Sequence, residues 1–206
     1  MLKKGFLHPN LFVRFFSLFG VMLLFFLVMW TISYLFLPEG ILRGRTGAQA
    51  LAGSEAAGSV WLEFARIAAI NLTMTILFVA LPCFIQTEQG YPYGYFVPFI
   101  WAALYAVTLG TNSFTFALPG GKMAPSMEVL SRSGLYELAA YLLTAASLHT
   151  IARYKVIGTW PRQKAERIFE APRLELSQWM GLGTALMMLL AANAREAYQI
   201  VSQFGN

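Results

Sequence analysis

From Ser131 to Tyr154 the chain reads SRSGLYELAAYLLTAASLHTIARY, long and apolar enough to cross a bilayer. Yet Glu137 stands well inside one end. A charge at that depth costs roughly 2.5–3.5 kcal/mol on insertion scales, so it is expected to be paired. Arg132 stands before its apolar part, and Arg153 and Lys155 mark its far end. A segment of this kind belongs at the centre of a helical membrane bundle, where other helices supply the partner.

The rest of the chain agrees with that constraint. Only 12% of its 206 residues are charged and 57% are hydrophobic. Soluble domains carry about 25% charged residues. Seventeen Phe, nine Tyr and five Trp suit lipid-facing helices with interfacial aromatic belts. All ten acids are Glu, which argues against two-aspartate catalysis and Asp-rich metal loops. The net charge of +5 does not imply nucleic acid, because the bases gather at the ends of apolar runs. There they orient a protein in a membrane and meet anionic lipid. The single cysteine, Cys83 beside Pro82, can form neither an internal disulfide nor a zinc pair. It is expected to be a small packed hydrophobe.

Taken in order, the chain predicts five spans, at about 11–37, 60–86, 95–113, 133–153 and 176–194. The first follows the basic lead MLKKGFLHPN and is about twice the length of a signal-peptide core, so an uncleaved helix is expected. Arg14 near its start is expected to snorkel toward headgroups. Pro38 and Gly40 end it. The second span holds Asn71, Thr73 and Thr75, polar groups able to bond across helices, and Pro82 is expected to kink its end. The turn GYPYGY reads as part of an aromatic belt, and LPGGKMAP as a break before the fourth span. Small residues at Gly134, Gly181, Gly183 and Ala185 are expected to admit close helix packing.

Segment 153–177 is the most charged: Arg153, Lys155, Arg162, Lys164, Arg167 and Arg173 against Glu166, Glu170 and Glu175. Within it PRQKAERIFE opens on Pro161, a favoured first helical position. Ala165, Ile168 and Phe169 then share one side, which predicts an amphipathic helix near 161–171 lying on anionic lipid. Five spans put this segment and the N-terminus on one side. By the positive-inside rule that side is the cytoplasm, and the C-terminus lies outside. The expected fold is all-α, a single polytopic transmembrane bundle over 1–206 in a prokaryotic cytoplasmic (inner) membrane.

Depth arithmetic adds a specific expectation. Arg66 enters the second span by about six residues and Glu137 the fourth by about four, roughly 6–9 Å below the outer surface at 1.5 Å per residue. Arg195 and Glu196 reach that level on the fifth. A polar cluster of Glu63, Arg66, Glu137 and Arg195 is therefore expected, with Asn71 as an interhelical polar group. It reads as packing ion pairs, as a transport pathway or proton relay, or as side chains that only snorkel along the lipid face. His149 reads either as a hydrogen-bonded interfacial histidine or as a ligand to haem or a chlorophyll-type pigment. Catalytic signatures of the G-x-S-x-G, H-E-x-x-H and Walker A types are absent from the sequence, so no enzymatic activity is expected.

Asn71 in a helix, the turn from Gln89-Gly90 to Gly94, and Ser133-Gly134-x-x-Glu137-x-x-Ala140 opening a later helix together resemble the stage II sporulation protein M family. The likeness covers roughly residues 60–155. That family usually has His where Ser133 stands and often Asn where Gln89 stands. The resemblance implies a polytopic membrane component that works with partners. The function expected first is thus a non-enzymatic structural or assembly subunit of a larger membrane complex, contacting other membrane subunits. A permease-like transporter subunit using the Glu/Arg cluster comes second, and a pigment- or haem-associated subunit third.

Overall fold

The computed structural model describes residues 2–45, 58–114, 117, 120–131, 134–158, 161–169 and 173–204. Arg132, Ser133 and Glu170 lie outside the described residues, as does most of the Gly/Ala-rich loop after the first span. The fold is mostly helical, with a small three-stranded sheet, and three of its helices are long and apolar enough to cross a membrane: Leu11–Phe36, Val60–Phe84 and Tyr93–Gly110.

A short helix α1 (Leu2–Phe6) leads into α2 (Leu11–Phe36), whose first turn is capped by Asn10. The Asn10 side chain accepts from the backbone of Phe12 and Val13 at 2.9 and 3.3 Å. Leu11, Arg14, Leu18, Met22, Phe26, Trp30 and Ser33 recur every three or four residues and form its one buried stripe. Phe12, Phe16, Leu24 and Phe36 are exposed on the rest of the surface. Apolar residues all round a helix are what lipid demands.

The helix α3 (Val60–Met74), capped by Ser59, does not stay α-helical. It passes into a π turn (Thr75–Ala80) and a 3-10 turn (Leu81–Phe84). Pro82 has no N–H to give the preceding turn, and Leu81 N–H reaches back five residues to Ile76 O. The expected kink is thus a change of helix type over two turns. Strand β1 (Ile85–Thr87) follows at once. A 3-10 turn (Tyr93–Tyr95) opens α4 (Phe96–Gly110). After the single turn α5 (Met127–Leu130) come α6 (Gly134–Ser147), strands β2 (Tyr154–Ile157) and β3 (Lys164–Arg167), and α7 (Leu176–Phe204).

Two expectations about the last third are corrected. The amphipathic helix near 161–171 is instead β3, antiparallel to β2 with Lys155 opposite Glu166 and Ile157 opposite Lys164. The cause is tertiary. β1 and β2 emerge side by side from α3 and α6 and pair in parallel, Ile85 with Tyr154 and Thr87 with Val156. The outer edge of β2 then offers backbone groups that a returning strand satisfies, overriding helix propensity. Gly158, at φ 89°, makes the turn that sends the chain back. An all-α description therefore fails at this end of the molecule.

The fourth predicted span, 133–153, is only partly helical. Its helix α6 stops at Ser147, 14 residues long, and every residue from Leu138 to Ser147 is buried. About 20 residues are needed to span the hydrocarbon. Conversely, α7 is 29 residues long and runs ten residues beyond the expected end. Gln178, Thr184, Asn193 and Glu196 interrupt its apolar character.

Helix α6 is the axis of the bundle, in contact with α2, α4, α7 and the π turn. The chain alternates between two ends. At one, Arg14 meets Ala146, Tyr95 meets His149, and the sheet closes the helices. At the other, Asn112 Nδ2 donates to Glu39 at 3.0 Å and Gly40 N–H donates to Thr111 O at 2.7 Å. There Lys122 Nζ also donates to Leu37 O at 3.0 Å, covering the last turn of α2.

Candidate functional site

Helices α3, α6 and α7 bring together a polar network at the second end. Ser59 caps α3 so that Glu63 falls in its first turn, where a carboxylate is favoured by the helix dipole. Glu63 is fully buried, and Arg66, one turn on, donates to its Oε1 at 2.6 Å. A further turn places Asn71 against both other helices: its Nδ2 lies 3.3 Å from Glu137 Oε1 on α6 and 2.8 Å from the Asn193 amide oxygen on α7. Turning the Asn193 amide lets its nitrogen donate to Glu137 Oε1 at 3.1 Å and to Leu189 O at 3.3 Å. In either orientation the amides bind Glu137 across the helix triad.

Glu196, one turn past Asn193, completes the network. It brings a second carboxyl close to that of Glu137, with Glu63 also near enough to act on it electrostatically. The carboxyls of α6 and α7 thus lie close together, with the amides of α3 and α7 as neighbours. Tyr141, one turn along α6, feels both carboxyls.

Among the four residues expected to cluster, Glu63, Arg66 and Glu137 lie at this end. Arg195 is exposed and donates to Ser131 O at 3.1 Å instead, so its neighbour Glu196 takes the inward place. The helical step of 100° separates adjacent residues onto different faces. Thr73 and Thr75 do not bond across helices; each donates to the carbonyl four residues back, Ala69 and Asn71.

The first end carries a second polar group that the sequence did not announce. Arg14 is 1% exposed, so it does not snorkel. Its Nε donates to Ala146 O at 3.0 Å, and Nη1 serves the carbonyls of His8 and Pro9. It thus fastens the N-terminal lead to the C-terminus of α6, where unsatisfied carbonyls and the helix dipole both favour a cation. Its place in the buried heptad-like stripe of α2 was the available signal. His149 stands beside it: Nδ1 is 3.0 Å from Tyr95 OH, and the two rings stack at 5.9 Å. That leaves Nε2 as the one ring nitrogen for any other partner. Tyr95 of GYPYGY is consequently interior rather than part of an interfacial belt.

Close packing falls unevenly on the predicted small residues. A Cβ on Gly134 would overlap the Tyr105 ring, and one on Gly181 would overlap Ser147 and Leu11. Ala185 is buried. Gly183 faces open space, so it packs against nothing in the bundle. Three close contacts were missed: Gly5 lies against Ser17, Gly94 against Cys83 and Val79 O, and Gly110 against Ser33 and the α2 backbone. Among the described residues, no group of three metal-ligating side chains is close enough to hold a metal ion.

No protein family, curated protein or solved structure matches the chain.

Proposed function

We propose that this chain is an integral membrane protein acting as a non-enzymatic structural or assembly subunit of a larger membrane complex. The observation that carries the reading is the hydrogen bonding of Asn71 to Glu137 and Asn193, which ties α3, α6 and α7 together beside the Glu63–Arg66 ion pair. Buried polar groups satisfied in this way fix register and helix partners. The alternation of loops between two ends supports five passes, with α6 and α7 joining the three helices that are long and apolar enough to cross a membrane. The bases of 153–173 then lie with the N-terminus on the cytoplasmic face of a prokaryotic inner membrane, against anionic lipid.

Extraction of the tagged protein in mild detergent, with native-gel sizing and mass spectrometry of co-purifying chains, tests the reading. A stoichiometric assembly of several different chains is expected; recovery as a lone monomer would sink it.

The carboxyl pair favours one second reading, a proton-linked transporter subunit. The two readings part at Glu137→Gln. In a transporter the amide abolishes proton-coupled flux in proteoliposomes while leaving assembly intact. In an assembly subunit it loosens partner binding and there is no flux to lose.

A further inference from the structure

We propose that the protein binds one anionic phospholipid of its membrane, with an acyl chain in a groove between α3 and α7 and the headgroup at Arg153. The inference rests on the membrane reading above. The groove encloses about 290 Å³. Leu72, Ile76 and Ala80 form one wall, Leu182 and Leu186 the other, and Leu148 of α6 lies at its floor.

The helix geometry explains why it opens here. The α-helical part of α3 packs on α7, where Asn71 meets Asn193. From Thr75 onward the wider π turn packs on α6 instead, so the two walls diverge toward the sheet. Ile76 and Leu186, both about half exposed, leave the groove open to the surrounding bilayer.

The chemistry of the lining selects the tail. Its two hydroxyls, on Thr75 and Thr144, are spent on the carbonyls of Asn71 and Ala140 at 2.6 and 2.9 Å. A peptide segment would need partners for its own N–H and C=O groups, and these walls offer none. Hydrocarbon needs none.

The head is selected at the sheet end. The groove wall of α3 runs into Phe84, whose carbonyl accepts from Arg153 N–H at 2.7 Å. That bond sets the backbone of the exposed Arg153 against Phe84, one turn beyond the groove residue Ala80, at the start of a segment with six bases and three acids between 153 and 175. Lys155 stands opposite Glu166 in the strand register, whereas Arg153 precedes the paired strands, five residues after Leu148 of the groove floor. An amphiphile with a negative head matches both parts.

The test uses the full chain in nanodiscs of phosphatidylcholine with a minor share of phosphatidylglycerol, read by native mass spectrometry. One retained phosphatidylglycerol per chain is expected, in excess of its share. Arg153→Glu should reduce that preference about fivefold or more, while a chain-length series still binds. Ala80→Phe and, independently, Leu186→Trp fill the groove and should remove the retained lipid. Equal retention of the two headgroups by the unaltered protein, or retention unchanged by both groove-filling variants, overturns the proposal. Carbonate extraction of the source membranes separates the two failures. Release into the supernatant overturns the membrane reading and this proposal with it. Retention in the pellet without a selected lipid overturns the proposal alone.

Discussion

Arg14 shows how one side chain can decide where a helix stops. Neither Gly nor Pro follows Ser147, yet α6 ends there, because the guanidinium takes the Ala146 carbonyl and Tyr95 holds His149. Replacing Arg14 by Met keeps the volume but leaves three carbonyls without that donor. We expect a loss of about 1–3 kcal/mol, seen as a lower midpoint in detergent-based thermal unfolding. The opposite sign is expected at Ser147. Its hydroxyl is fully buried, has no hydrogen-bond partner, and lies against Gly181. Ser147→Ala should raise stability by about 1 kcal/mol, since an unsatisfied buried hydroxyl costs that much or more; a fall in the midpoint would contradict it. The charge of Arg14 was visible in the sequence, but its partners were not. They are backbone carbonyls 5, 6 and 132 residues away, which no side-chain pattern records.

At the scale of elements, glycines set the closest approaches. Gly110 lets α4 touch α2 at Ser33, whose hydroxyl is 3.2 Å from Ala106 O. Gly110→Val should separate the two helices and lower the unfolding midpoint, whereas Gly183→Val, at an open position, should change it little. Measuring both variants side by side checks the distinction. The apolar runs made the long helices legible, since length and hydropathy are local properties. The polar network was legible in part, because Glu63, Arg66, Asn71 and Glu137 stand out against apolar neighbours. Choosing Arg195 over Glu196 depended on the phase of α7, which charge alone does not set. The sheet was hidden for a different reason. A four-residue strand such as β3, exposed along its whole length, has no buried face to impose a period of two. Its conformation comes from the edge of β2.

For the molecule as a whole, the two ends of the bundle should lie on opposite sides of the membrane. Cys83 is the one cysteine and is buried, so a Cys83→Ala background permits single reporter cysteines. A cysteine at Arg162 should react with an impermeant maleimide only in inverted vesicles, and one at Ser126 only in right-side-out cells. Labelling of both from the same side would refute the topology. The parallel pairing of Ile85 with Tyr154 also joins points 69 residues apart in the chain. At synthesis rates of about 5–20 residues per second, β1 waits roughly 3–14 s for its neighbour to be made. Until α6 and β2 arrive, β1 has no strand neighbour, so the sheet is among the last parts of the fold to form and its pairing depends on the second half of the bundle being in place.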